Sequence, residues 1–128
     1  MPATEVRAFR DADRDGTVPV QDWLDELEHR EPKAHAKCLA RILELADKGN
    51  EMRRPHADYL RDGMYELRAT LGKDQYRLLY FFFGKNVVAV SHGITKEREV
   101  PPEEIELAIS RRSLVMASPD RYTADFDI

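Results

Sequence analysis

Residues 64–92 read MYELRATLGKDQYRLLYFFFGKNVVAVSH. Three segments of this stretch are rich in β-branched and aromatic residues, which are typical of strands. We predict strands over Met64–Thr70, Gln75–Phe83 and Asn86–His92. The residues between them, Gly72-Lys73-Asp74 and Gly84-Lys85, are typical of tight turns. Because these connections are short, the three strands are expected to form an antiparallel meander.

Two amphipathic helices are predicted before the meander. The first begins at Pro19, and its apolar face is formed by Val20, Trp23, Leu24 and Leu27. After Glu31-Pro32 a second helix follows and ends near Gly49, with one side formed by Cys38, Leu39, Ile42, Leu45 and Ala46. Together they make a helical hairpin.

The ends of the chain complete the predicted element order. Thr4–Arg10 alternates loosely and indicates a first strand, and Pro101–Glu104 begins a last helix. The order of strand, two helices, three strands and helix predicts an α+β fold, with the helical hairpin and the C-terminal helix packed on a small, mainly antiparallel sheet. We expect one domain over residues 1–115 and a polar C-terminal tail, mobile or loosely docked, over residues 116–128.

Composition narrows the class of protein. No apolar run approaches the length of a membrane span, and the first residues lack the pattern of a secretion signal, so we expect a cytoplasmic protein without a membrane partner. The lone Cys38 cannot form an internal disulfide or a cysteine-based metal site, and we expect it in the core. We expect neither a metal nor a cofactor.

Charge is distributed unevenly along the chain. The net charge is −4, yet residues 53–98 contain nine basic and five acidic residues, a net charge of +4, so the flanks carry −8. A polyanion such as RNA could therefore bind the middle of the chain, with modest and salt-sensitive affinity.

Several motifs resemble one known family. Gly63–Arg68 (GMYELR), Tyr76–Phe81 (YRLLYF) and His92–Lys96 (HGITK) follow one another, and residues 16–24 (GTVPVQDWL) look like that family's first helix entry. The closing pattern also includes Pro101, Glu104, Ile105 and Ala108. In order and spacing, residues 4–112 resemble RelE/HigB-type toxins of bacterial type II toxin–antitoxin systems, particularly the phage-derived HigB-like subgroup. The chain departs from that pattern with Ile94 in place of phenylalanine and Glu97 in place of a lysine.

The resemblance implies a RelE-like microbial ribonuclease fold and a toxin that cleaves messenger RNA without a metal, using the RNA 2′-hydroxyl as nucleophile. It also implies that the messenger RNA is bound on the ribosome. The implied partner is a cognate antitoxin, often a helix-turn-helix DNA-binding protein. An alternative is a catalytically weak or inactive toxin-like protein that retains the antitoxin interaction, for instance because of Glu97.

Arg68 and Arg77 are the first candidate catalytic residues. Counted from the Gly72 turn, they lie on adjacent strands and are expected to point to one face as near neighbours. Two guanidinium groups side by side favour an anion between them, and their planar fork matches a phosphate. The alternative is ordinary ion pairs, for which Glu66 is the natural partner because it shares a strand face with Arg68.

Proton transfer requires another residue, because arginine stays protonated. His92 is a candidate because its ordinary pKa lies near neutrality, although it could equally cap a carbonyl at the strand end. Lys96 is a second candidate and Glu66 a third. Further substrate-binding candidates are Arg61, Lys73, Arg98 and Glu66. Tyr76 and Tyr80 alternate with Arg77 and are expected to face the core rather than to stack on bases.

Overall fold

The structure is a computed structural model that describes residues 4–126. Its elements in chain order are β1 (Glu5–Phe9), α1 (Pro19–Arg30), α2 (Pro32–Lys48), a 3-10 turn (Gly49–Glu51), β2 (Ala57–Arg61), β3 (Met64–Leu71), β4 (Asp74–Gly84), β5 (Val87–Thr95), α3 (Pro102–Ala117), α4 (Pro119–Tyr122) and β6 (Thr123–Asp125).

The strands form one six-stranded sheet in the order β2-β3-β4-β5-β1-β6. β1 runs parallel to β5, and the other neighbouring strands are antiparallel. The predicted meander is confirmed as β3-β4-β5, and the predicted α+β class with helices packed on a mainly antiparallel sheet is also confirmed. Among residues 4–126, no helix has the length and apolar character needed to cross a membrane.

The helical hairpin packs on one face of the sheet. Each helix begins with a proline, whose fixed φ suits the first turn, and α2 ends at Gly49, where φ is 55°. The buried residues of this layer include Val20, Leu24, Cys38, Ile42 and Leu45 from the hairpin and Leu67, Leu78, Tyr76, Tyr80 and Val90 from the sheet. The expected core positions of Cys38, Tyr76 and Tyr80 are thus confirmed. Burial raises the pKa of the Cys38 thiol to about 12, which keeps it protonated.

α3 packs on the opposite face of the sheet. Its buried residues Ile105, Ala108 and Val115 contact a second apolar layer that contains Phe9, Met64, Leu79, Phe81 and Ala89. Next to this apolar layer, the same face of the sheet carries buried polar residues, among them Glu66, Arg77 and His92. The two faces therefore differ: the hairpin face is apolar, and the α3 face carries buried charges.

Two strands differ from the sequence expectation. No element was predicted between the second helix and the meander, but residues 57–61 form β2, which pairs with β3 at the edge of the sheet. Residues 116–128 were expected to form a loosely docked polar tail, but within the described part α3 continues to Ala117 and β6 pairs with β1. Tyr122 is buried and stacks on Phe9, which explains why this polar segment docks. Residues 127 and 128 lie outside the described residues.

Gly93 lies directly beneath the indole ring of Trp23. A Cβ atom at Gly93 would come within 2.2–2.5 Å of three ring atoms. Trp23 Nε1 also donates a hydrogen bond to Thr95 Oγ1 over 2.9 Å. Because only glycine leaves room for the ring, this contact joins α1 to the end of β5.

We predict that Gly93→Ala destabilises the protein by about 1–3 kcal/mol, because the added methyl group overpacks the Trp23 contact. Urea unfolding followed by circular dichroism measures the loss. In a Trp23→Ala background the same substitution should change stability little, since the clashing ring is gone. An unchanged midpoint for Gly93→Ala alone would show that the ring does not depend on this glycine.

Candidate functional site

Arg68 and Arg77 are direct cross-strand partners in the β3–β4 ladder. Both side chains lie on the α3 face of the sheet, because Glu66, on the same face as Arg68, contacts them both. The sequence prediction that the two arginines are near neighbours on one face is confirmed.

The buried carboxylate of Glu66 holds the two guanidinium groups. Its Oε1 accepts a short hydrogen bond from Arg77 Nη1, and its Oε2 accepts one from Arg68 Nη2 at 3.1 Å. Only 3% of the Glu66 side chain and 7% of the Arg77 side chain are exposed. The alternative left open in the sequence, ion pairs with Glu66, is therefore the arrangement that the side chains adopt.

Each of the three guanidinium nitrogens of Arg77 donates a hydrogen bond within the protein. Besides its bond to Glu66, it donates from Nε to the carbonyl oxygen of Glu97 at 3.3 Å and from Nη2 to that of Arg98 at 2.6 Å. These carbonyls belong to the loop between β5 and α3. In this structure Arg77 therefore fixes this loop to the sheet, a role that the sequence prediction did not include.

Arg68 is the accessible member of the pair, with 28% of its side chain exposed. Its Nη2 also contacts Asp58 Oδ2 at 3.1 Å, and the same carboxylate contacts Arg54 Nε at 3.1 Å. Although burial opposes its charged form, the bonds to Glu66 and Asp58 raise the pKa of Arg68. Its Nε is buried without a hydrogen-bond partner among the described residues. The side chains of Arg54, Asp58, Arg68 and Glu66 therefore form a row of alternating charges from the surface to the buried carboxylate.

His92 lies on the same face because β5 contains a β-bulge. Leu79 pairs with His92 and Tyr80 pairs with Val90, so Ser91 is the extra residue. The side chains of Ser91 and His92 consequently both point towards α3, where Arg111 contacts them. Strict alternation would have placed His92 on the hairpin face with Val90.

Both ring nitrogens of His92 are engaged. Nε2 lies 2.8 Å from Glu104 Oε1, and Nδ1 lies 2.7 Å from Ser91 Oγ and 3.4 Å from Arg111 Nη1. Since a carboxylate only accepts, this network assigns the proton to Nε2 and leaves Nδ1 as the acceptor. Burial, together with the charge of Arg111, lowers the pKa of His92, so the ring is neutral at pH 7. His92 thus joins β5 to α3 instead of capping a carbonyl.

The remaining candidate residues lie elsewhere. Arg61 is held at the surface by Asp62 and Glu106. Lys73 is exposed in the turn between β3 and β4, and the exposed Arg98 meets the cluster only through its carbonyl.

Lys96 has a positive φ of 62° and lies at the rim of a cleft on the hairpin side of the sheet. The structure therefore brings Glu66, Arg68 and Arg77 into contact and places His92 on the same sheet face, where it contacts Ser91, Glu104 and Arg111. The four outer cations, Arg61, Lys73, Lys96 and Arg98, lie apart from them.

Sequence reasoning missed several members of the cluster. Asp58 lies on the unpredicted strand β2, and Arg111 lies on α3, far along the chain from His92. Glu104 was quoted only as part of a motif, and its twelve-residue separation from His92 gives no direct sign of contact. Within residues 4–126, no group of three or more histidine, cysteine, aspartate or glutamate side chains is arranged to hold a metal ion.

We predict that Glu66→Gln lowers the free energy of unfolding by about 3 kcal/mol or more, because it leaves the charge of Arg77 buried without its carboxylate. Chemical denaturation measures the change. Glu106→Gln is the matched control, since it removes the partner of an exposed arginine, Arg61, and should leave the midpoint nearly unchanged. Equal effects of the two substitutions would contradict the assigned role of Glu66.

We predict that His92 makes stability fall on acidification. Its pKa is lowered in the folded state, so between that value and about 6.5 the unfolded chain binds more protons. The free energy of unfolding therefore decreases as the pH is lowered from 7 through this window. Urea titrations at successive pH values should give a steeper decrease for the wild type than for His92→Gln, which does not titrate. Parallel curves would contradict the prediction.

One protein-family model matches most of the chain. The family model described as phage derived protein Gp49-like (DUF891) matches residues 22–113, which include most of the helical hairpin, the meander and most of α3. No curated protein matches the chain significantly. The matched region contains Glu66, Arg68, Arg77 and His92. The protein therefore belongs to the Gp49-like family of phage-derived proteins, a family associated with the toxins of toxin–antitoxin systems.

Proposed function

We propose that this protein is the toxin of a toxin–antitoxin system and that it cleaves messenger RNA on the ribosome without a metal ion. Membership of the Gp49-like family supports a toxin and implies an antitoxin partner. The proposed ribonuclease activity goes beyond family membership and rests on the resemblance of the chain to RelE/HigB-type toxins. A cytoplasmic location is part of the same proposal.

One observation carries the RNA-directed part of the proposal. Arg68 is partly exposed, carries an unpartnered buried Nε and lies beside a second arginine on a fixed carboxylate. A guanidinium held in this way is pre-organised to contact a phosphate, because its orientation does not have to be established during binding. Arg77 acts in this proposal as a positioning residue for Glu66 and for the loop that carries Lys96.

The reaction that we propose is an internal transfer within RNA. The 2′-oxygen attacks the adjacent phosphorus and loses its proton to a base, while the bond to the 5′-oxygen breaks and that oxygen gains a proton. The products carry a 2′,3′-cyclic phosphate and a 5′-hydroxyl. Arg68 is the accessible cation that would stabilise charge on this phosphate, because Lys96 lies on the other side of the sheet.

Proton transfer is assigned to the His92–Glu104 pair. Glu104 is the accessible end of this pair, with 35% of its side chain exposed, whereas His92 Nδ1 is occupied by the buried Ser91. In this arrangement the Glu104 carboxylate would accept the proton of the 2′-hydroxyl and return it to the leaving 5′-oxygen, while the Nε2–H of His92 orients the carboxylate. Glu66 is excluded as the base in this arrangement because both of its oxygens accept from arginines.

The ribosome helps to explain how an acidic protein acts on RNA. With a net charge of −4, the chain would bind free RNA weakly, because phosphate contacts dominate such affinity. RNA held on the ribosome is presented in a fixed geometry, so that the protein needs fewer contacts of its own.

A second candidate function is favoured by the same cluster. Arg77, Glu66 and His92 all have their polar atoms engaged within the protein. A fold with this internal network suits a toxin-like binding protein that retains its antitoxin and does not cleave RNA. The two candidates differ in one measurable property, the cleavage of RNA by the folded protein.

We predict that induction of the protein in bacteria arrests growth and that Arg68→Gln relieves the arrest. Glutamine preserves a donor to Glu66 and Asp58 but removes the charge, so we expect cleavage in a translating extract to fall about a hundredfold. Arg14→Ala, in the exposed turn before α1, is the matched control and should arrest growth like the wild type. Thermal unfolding verifies that each variant is folded.

The chemistry of the reaction gives a further criterion. A messenger RNA with a 2′-deoxy nucleotide at the cleaved position should resist cleavage there, since the nucleophile is missing. If the folded wild type neither arrests growth nor cleaves RNA but binds its antitoxin, the ribonuclease proposal is wrong and the second candidate is supported.

A further inference from the structure

An open cleft of about 410 Å³ lies on the hairpin side of the sheet, away from the arginine pair. Its walls are formed by α1 and by the facing ends of β4 and β5, and its lining includes Trp23, Leu27, Arg30, Tyr76, Thr95 and Lys96. The volume lies within the range of sites for small molecules. The cleft combines aromatic walls with a rim of mixed charge that includes Lys96, and aromatic side chains next to a cation can recognise a nucleotide.

Trp23 provides a rigid aromatic wall. The hydrogen bond from Nε1 to Thr95 fixes the ring in its plane, and the close contact with Gly93 fixes one of its faces. Trp23 is only partly buried and lines the cleft. A fixed indole ring can stack on a nucleobase of any kind, because every base has a π face.

Tyr76 provides an unsatisfied donor. Its hydroxyl oxygen is buried and has no hydrogen-bond partner among the described residues. Tyr76 lines the cleft together with Glu31 and Lys96. Burial raises the pKa of Tyr76, which keeps the hydroxyl protonated. An orphaned buried donor calls for an acceptor, such as a base carbonyl or ring nitrogen.

Lys96 provides a cation for a single phosphate. Half of its side chain is exposed, and its Nζ lies 3.7 Å from Asp74, beyond ordinary hydrogen-bond distance. Arg30 is paired with Glu26 at 2.8 Å, and Glu31 adds a further negative charge to the rim. This mixed rim disfavours a long polyanion and suits one phosphate group next to Lys96.

We propose that this cleft binds one nucleotide of an RNA, with its base stacked on Trp23 and hydrogen-bonded to the Tyr76 hydroxyl and its phosphate at Lys96. The assignment of the nucleotide to an RNA substrate rests on the proposed function. The loop after Lys96 supports the connection, because the carbonyls of Glu97 and Arg98 accept hydrogen bonds from Arg77 of the charged cluster. The cleft and the cluster are thus joined by neighbouring residues of one loop.

The test uses the four ribonucleoside 5′-monophosphates as probes of the purified wild-type protein. Trp23 is the single tryptophan of the chain, so stacking in the cleft should change its fluorescence directly. We predict a saturable change, and a loss of affinity of about tenfold in Tyr76→Phe, which removes the donor. The same substitution should leave the unfolding midpoint unchanged or raise it, since it also removes an unsatisfied buried hydroxyl.

Lys96→Ala separates phosphate recognition from base recognition. It should weaken the binding of the monophosphate but not that of the corresponding nucleoside, whereas Lys85→Ala, in the distant turn between β4 and β5, should change neither. Ribose 5-phosphate, which has no base, should leave the fluorescence unchanged.

Three outcomes would overturn the proposal: no saturable fluorescence change, ribose 5-phosphate binding as well as a nucleotide, or full affinity in Tyr76→Phe. Loss of antitoxin binding in Tyr76→Phe without any nucleotide binding would assign the cleft to the protein partner instead. If the wild type arrests growth and cleaves RNA but binds no nucleotide here, only the cleft proposal fails. If it binds nucleotides but does not cleave RNA, the proposed function fails and the site remains.

Discussion

The structure depends on one buried carboxylate, that of Glu66, and on the guanidinium group of Arg77 that it neutralises. A charge buried to this degree is tolerated only if it is paired and hydrogen-bonded, and Arg77 is paired with Glu66 and bonded to two loop carbonyls. The interaction joins β3, β4 and the loop before α3. Glu66 also accepts a hydrogen bond from Arg68. The position of the partly exposed Arg68 therefore depends on the buried carboxylate of Glu66.

Most of the architecture could be predicted from the sequence because it rests on local patterns. Alternation and turn residues located the meander, and the 3.6-residue period located the hairpin. Counting from Gly72 also placed Arg68 opposite Arg77, since hairpin register follows from turn length. Strand β2 was not predicted, because its residues adopt an extended conformation through pairing with β3 and not through their own composition.

The candidate site was less predictable, because its geometry comes from tertiary packing. The pairing of Glu66 with both arginines appeared in the sequence only as an alternative, and no pattern indicated that Arg77 would also bind loop carbonyls. The contact of His92 with Glu104 depends on how α3 crosses the sheet. Family membership places this cluster in a toxin-associated fold but does not decide between a phosphate-binding and a purely structural role.

The bulge at Ser91 has a consequence for both sides of the sheet. Because Ser91 is an extra residue, every side chain that follows it in β5 points to the face opposite to the one that strict alternation would give. After Ser91, Gly93 faces the helical hairpin, where its missing side chain leaves room for the indole ring of Trp23. His92 faces α3, where its ring donates a hydrogen bond to the carboxylate of Glu104. If Ser91 were paired in a regular ladder, strict alternation would exchange these two positions, setting the imidazole against Trp23 and a hydrogen atom against Glu104. The bulge thus determines the layer to which each half of the His92-Gly93 dipeptide belongs.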